Sequence, residues 1–249
     1  MGGLRRMTLT AELAAMACAP VRDAGPSPGA VYMSDEDYDE AIQATLAEAP
    51  PDDLWVFAYG SLLWKPAFDP TESRAATVRG WHRSFCFRVA RFRGTRDRPG
   101  LMMALDRGGQ CHGRALRVSR EQVHDVLEVL FRREVVVKPG VNVPRWLTAH
   151  TPDGPVRAIG FVVNRSSPHY AGRLVADEAA RMIATAAGHW GSCAEYLCET
   201  VAHLETLGIR DRNLWHLQEL VAERIKGNIA INPESGRSFS RAVTKRVLP

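Results

Sequence analysis

Strand-like and helix-like segments are segregated along this chain. Alternating or β-rich runs fall between residues 54 and 163, and helical spacing takes over from Gly172. That order points to the α+β class, because a doubly wound parallel sheet needs strands and helices in alternation. Strands are predicted at 54–59, 79–89, 101–105 and 113–118. Residues 146–150 and 156–163 flank a Pro152-Asp153-Gly154 turn and read as a hairpin. One helix interrupts the strands: Ser119 is its expected cap, it runs through Arg133, and Val123, Val126, Leu127 and Leu130 line its inner face. An earlier helix opens at Ser34 with Asp35, Glu36 and Asp37 in its first turn and stops before Pro50-Pro51.

Residues 1–30, rich in Ala, Pro and Gly without a period, read as a mobile leader. The stretch after Lys226, with Arg237, Arg241, Lys245 and Arg246, reads as a solvated basic tail. The expected organisation is an N-terminal extension over 1–50, one domain over 51–226 and the tail over 227–249. A chain of 249 residues, 45% hydrophobic, suffices for one sizeable core. The net charge of +4 gives nucleic-acid binding no global support. No apolar run approaches the roughly 18 residues that a membrane span requires. The five cysteines form no Cys-x-x-Cys pair and are expected to be reduced thiols. Arg5-Arg6 and the short apolar stretch to Ala19 have the outline of a secretory signal. Glu12 interrupts it, and the cytoplasm is the expected location.

The run Trp55-Val56-Phe57-Ala58-Tyr59-Gly60-Ser61-Leu62 is a buried strand that breaks at Gly60-Ser61. A turn at the end of such a strand, with successive N–H groups free, makes a concavity for an anion or oxyanion. Between Arg74 and Arg98 eight arginines face the single acid Asp97, a balance that suits an anionic ligand. Most of them are expected on outer strand faces, with one or two reaching a pocket. Glu134 ends the amphipathic helix, where the macrodipole disfavours a carboxylate. Taken alone, it is either an ion-pair partner of Arg132, Arg133 or Arg145, or a group with chemistry to do.

The run resembles the signature of the ChaC family of γ-glutamylcyclotransferases, whose first strand ends in Tyr-Gly-Ser-Leu. Further motifs follow in that family's order: Gly80-Trp81-His82-Arg83-Ser84-Phe85-Cys86, Gly108-Gly109 with Gly113, Phe131-Arg132-Arg133-Glu134, Pro144-Arg145-Trp146 and Ala194-Glu195-Tyr196-Leu197. The resemblance covers roughly residues 54–224 and is greatest to bacterial members. It implies a small, partly open β-barrel of mixed strands with surrounding helices. It also implies Glu134 as catalytic acid/base, Tyr59, Gly60, Ser61 and Leu62 as substrate cradle, and Tyr196 as a pocket residue, with Tyr170 ranked lower. A tyrosine at position 196 is equally a core aromatic on a helix. Ser61 as a nucleophile is disfavoured, since the Gly-x-Ser-x-Gly elbow is missing. The implied partner is a small molecule, glutathione or a related γ-glutamyl compound, with no cofactor, metal, nucleic acid or membrane. Oligomeric state is left open.

The implied reaction defines what Glu134 needs. The α-amine of the γ-glutamyl group attacks its own γ-carbonyl, closing 5-oxoproline and releasing Cys-Gly. That amine has a free pKa of about 8 and is mostly protonated at neutral pH. One carboxylate with a pKa drawn towards neutrality can carry its proton to the leaving nitrogen. Burial raises such a pKa and arginines lower it, so Arg132 and Arg133 are expected to point away from Glu134. Asn142 stands where relatives carry an aromatic pocket residue. It opens one alternative, a cyclotransferase for other γ-glutamyl amines or peptides; a second, a catalytically weak regulatory or binding protein of the same fold, also stays open.

Overall fold

The computed structural model describes residues 6–18, 21–51 and 53–231. The basic residues expected in the tail, and Arg5 and Ala19 of the leader, lie outside the described residues. In chain order the elements are α1 (Ala11–Ala15), β1 (Val31–Tyr32), α2 (Asp35–Ala47), β2 (Trp55–Ala58), β3 (Glu72–Val89), β4 (Gly100–Arg117) and α3 (Val123–Glu134). They continue with β5 (Val137–Lys138), β6 (Asn142–Thr151), β7 (Gly154–Val163), α4 (Ala176–Thr185), β8 (Ala187–Gly188), β9 (Gly191–Ser192), α5 (Cys193–Thr206) and α6 (Arg212–Ile231). Short 3-10 helices at Ser61–Leu63 and Arg120–Gln122 follow β2 and precede α3. The chain divides into two compact units, each assembled from separate stretches: Pro28–Phe87 with Met103–Arg173, and Met1–Ser27 with Arg88–Met102 and Leu174–Pro249.

The unit containing Pro28–Phe87 is built on a five-stranded barrel in the order β2-β4-β3-β6-β7. The barrel, expected to be partly open, is closed: β7 pairs in parallel with β2 through Trp55↔Ala158 and Val56↔Ile159. The hairpin predicted around Asp153 is present as β6 and β7, in register from Asn142↔Val163 to Thr151↔Gly154. The strands predicted at 101–105 and 113–118 are one strand, β4. Gly108 (φ 105°) and Gly109 (φ 66°) lie within it, so the glycines distort a continuous strand instead of ending two. α2 opens with the predicted cap: Ser34 Oγ accepts from the Asp37 N–H (3.3 Å) and Asp37 Oδ2 accepts from the Ser34 N–H (2.8 Å). Ser119 does not cap α3; its hydroxyl donates to Glu121 (2.7 Å) and the 3-10 turn intervenes. Val126, Leu127, Leu130 and Phe131 of α3 pack with Ile42, Val56, Ile159 and Phe161 into one core. Burial of these side chains fixes the helix, and so fixes where Glu134 stands.

The other unit is mainly helical. Ser192 and Glu195 form a reciprocal cap on α5 (3.0 and 2.7 Å), and Ile183, Val201, Leu204, Val221 and Ile225 are almost fully buried. Between α4 and α5 the chain forms a two-stranded ribbon, β8 with β9. The leader, expected to be mobile, is tied down where it is described. Leu9 is 0% exposed, and Gln218 Oε1 accepts from the N–H groups of Thr8 (3.1 Å) and Leu9 (2.8 Å). α6 continues past Lys226 to Ile231. Among the described residues no helix is long and apolar enough to cross a membrane.

Candidate active site

The turn after β2 is made by the 3-10 helix Ser61–Leu63, with Gly60 at φ −135° and ψ −127° as its cap. The N–H of Leu63 bonds to the Gly60 carbonyl (2.9 Å) and that of Lys65 to the Ser61 carbonyl (2.7 Å). The N–H groups of Ser61 and Leu62 belong to the first turn and have no acceptor within it. The side chains of Tyr59 and Leu62 are turned into the protein. The Tyr59 hydroxyl donates to the Phe161 carbonyl (2.9 Å), and Leu62 joins the core beside Val56 and Phe131. These two residues therefore offer backbone to a ligand, and Ser61, half-buried, offers its hydroxyl as well.

Glu134 is the last residue of α3, with its side chain 17% exposed. Burial raises its pKa above the ordinary glutamate value, and the Arg133 guanidinium opposes that shift without cancelling it. The negative end of the helix acts in the same direction as burial. Arg132 points away as expected, bonding to Asp35 (2.8 Å) and Glu128 (3.0 Å). Arg133 does not. Its Nε lies 3.4 Å from Glu134 Oε1, while Nη2 donates to Ser61 Oγ (2.7 Å) and Nη1 to the Lys65 carbonyl (2.7 Å). Each guanidinium nitrogen has a partner, and its reach across the turn is what brings Glu134 and Ser61 into one constellation. The sequence offered Arg133 as an ion-pair partner of Glu134 and as a threat to its pKa; the contact is present, and the bracing of Ser61 was missed.

Tyr196 belongs to the other unit. It is buried on α5, with the Arg93 guanidinium 5.5 Å from its ring centre. Tyr170 donates to Asp106 Oδ2 (2.8 Å), and Arg165 Nε donates to Asp106 Oδ1 (2.7 Å). Asp106, with its side chain 5% exposed, was not singled out from the sequence. Burial works to raise its pKa, yet its bonds to Arg165, Tyr170 and the Arg107 N–H hold it below the ordinary value. Asn142 begins β6 almost fully buried, and its Oδ1 has no hydrogen-bond partner among the described residues. The arginine-rich segment is dispersed in its contacts: Arg74 pairs with Glu72 (2.5 Å) and Arg91 with Asp23 (2.6 Å). Arg145 stacks towards Trp81 (6.0 Å), and both line an open groove of about 330 Å³ along β3 and β6 that contains no predicted site residue.

A closed five-stranded mixed barrel with helices around it corresponds to a known class of fold. The crystal structure of a γ-glutamyl cyclotransferase specific to glutathione from yeast matches with a TM-score of 0.63 at 20% identity, covering 69% of this chain and 97% of that one. At that identity the likeness speaks for the fold: this is a γ-glutamylcyclotransferase fold. The family model for ChaC-like proteins matches residues 54–224, and the chain belongs to the ChaC-like family. Similar proteins include the glutathione-specific gamma-glutamylcyclotransferase of Escherichia coli K12, 37% identical over 195 residues, 76% of this chain and 84% of that protein. Glutathione-specific gamma-glutamylcyclotransferase 1 of Mus musculus is 33% identical over 186 residues, 73% and 82% of the two chains.

Proposed function

We propose that this protein is a glutathione-specific γ-glutamylcyclotransferase with Glu134 as its acid/base. The observation that carries the reading is a buried glutamate with a raised pKa, joined through Arg133 to the turn formed by Tyr59, Gly60, Ser61 and Leu62. Glu134 takes a proton from the α-ammonium group. The freed amine attacks the γ-carbonyl, the new C–N bond closes the ring, and Glu134 returns the proton to the departing cysteinyl nitrogen as its C–N bond breaks; the ring nitrogen's second hydrogen then passes through the Glu134 carboxylate to the Cys-Gly amine, which leaves as the ammonium. The products are 5-oxoproline and Cys-Gly, and no water is consumed. Backbone N–H groups of the turn would hold the substrate carboxylate and the oxyanion, a contribution of several kcal/mol in comparable sites (about 3–4 per donor). Folding the γ-glutamyl chain into its attacking shape removes a further entropic barrier.

Four of the five cysteines are buried, all five are free, and burial pushes Cys86 and Cys193 up to about 12. They are thiols suited to a reducing compartment, which supports the cytoplasm as its location. The test is to incubate the purified protein with glutathione and a panel of γ-glutamyl dipeptides and to measure 5-oxoproline. Release from glutathione above the panel is the expected result. Preference for a dipeptide would favour the wider γ-glutamyl class, and no release from any substrate would leave a binding protein of the same fold.

A further inference from the structure

Arg83 is the one arginine between Arg74 and Arg98 that is almost fully buried, at 6% exposure. The phase of β3 explains why. Ala76 and Val78, at even positions, are buried before Gly80; after it the first buried side chain is Arg83, at an odd position, followed by Phe85, Cys86 and Phe87 together. Gly80 itself has φ 80°, and an irregular residue of this kind resets which face the following side chains occupy. An arginine is thereby placed in an inward position.

Arg83 Nε donates to the Tyr59 carbonyl at 2.6 Å, and Nη2 donates to the carbonyl of His112. The register of β2 with β4 ends at Ala58↔Arg114, so both acceptors lie just past the last paired residues. Gly113 permits the close approach there, since a Cβ would stand 2.3 Å from the Ala58 carbonyl oxygen. A planar guanidinium with donors in a fixed fork can hold two such carbonyls at once. The peptide joining Tyr59 to Gly60 is trans, so its C=O and N–H point to opposite sides of one rigid plane. Anchoring the Tyr59 carbonyl on Arg83 therefore fixes the direction of the Gly60 N–H, away from Arg83.

We propose that Arg83 is a positioning residue, which orients the Gly60 N–H as a donor to the carboxylate of the bound γ-glutamyl group. This rests on the turn at residues 59–62 being the ligand cradle. In this role Arg83 acts through the Tyr59–Gly60 peptide plane and not on the reacting atoms. Lysine keeps the charge but not the fork, so Arg83→Lys releases that plane.

The experiment titrates wild type and Arg83→Lys with 5-oxoproline by calorimetry, alongside kinetics with glutathione. The Kd for 5-oxoproline and the KM for glutathione should rise together by at least about 10-fold, with kcat changed less and binding stoichiometry near one. The affinity for 5-oxoprolinamide, which lacks the carboxylate, should be the same in both proteins. Unchanged Kd overturns the proposal, and so does a loss of stoichiometry at unchanged Kd, which would mark a merely structural arginine. Should the variant fail to fold, the Gly60 amide resonance of the wild type decides: a shift on saturation with 5-oxoproline supports the proposal and its absence overturns it. A wild type that neither turns over glutathione nor binds 5-oxoproline would remove the cradle itself, and this inference with it. Normal wild-type behaviour with an equally competent Arg83→Lys would remove this inference alone.

Discussion

Two opposed forces meet at the Glu134 carboxylate. Burial raises its pKa, Arg133 lowers it, and burial prevails. Glu134→Gln keeps the size and removes the titrating proton, so 5-oxoproline formation should fall by at least about 100-fold. Stability should move the other way. The unfolded glutamate titrates near 4.3, about the ordinary value, while the folded one titrates higher, so between the two the folded state holds a proton the unfolded state has lost. Stability then falls as pH rises through that window and stays reduced above it. Thermal unfolding should find Glu134→Gln more stable than wild type at neutral pH, the two converging in acid; a less stable variant at neutral pH would contradict a strained carboxylate. Arg133→Met removes the opposing cation. The acid limb of kcat/KM should shift to higher pH, and an unmoved limb would mean that it reports another group. Glu134 was legible from its place at the end of an amphipathic helix and from its motif. Arg83 was not, because Gly80 shifts the alternation between it and Val78, and no count of apolar residues registers that step.

Among the elements, β4 carries the most constraint at the site. A Cβ at Gly113 would lie 2.3 Å from the Ala58 carbonyl oxygen and about as close as 3.0 Å to the Phe57 ring. Gly113→Ala must therefore push β4 and the end of β2 apart, costing about 1–3 kcal/mol as overpacking. The melting temperature should drop, and activity per folded molecule should drop with it, because Tyr59 and Gly60 follow directly. A variant that melts lower but keeps full activity would separate the strand contact from the turn. Elements whose signals are local could be read from sequence: the Ser34 cap of α2 and the turn at Asp153 both lie within four residues of chain. The continuity of β4 and the closure of the barrel could not. The first depends on how a strand absorbs Gly108 and Gly109, and the second on pairing Trp55 with Ala158, about a hundred residues away.

On the scale of the whole molecule, the two units are interleaved along the chain. Low-complexity composition made residues 1–30 look detached, yet Leu9 is 0% exposed and its N–H is bonded to Gln218. Leu9→Ala should cost about 2–5 kcal/mol, the range for emptying a buried leucine site, and a chain missing its first 18 residues should melt lower still. A melting temperature unaffected by Leu9→Ala would mean that the leader adds nothing to the folded unit. The same arrangement sets an order of events during synthesis, since chains fold as they leave the ribosome and N-terminal parts generally fold first. Here that sequence is inverted for Leu9, because the Gln218 that binds its N–H is translated some two hundred residues later. Until then Leu9 and the apolar residues around it have no seat, and a nascent chain of this kind leaves that segment open to a chaperone.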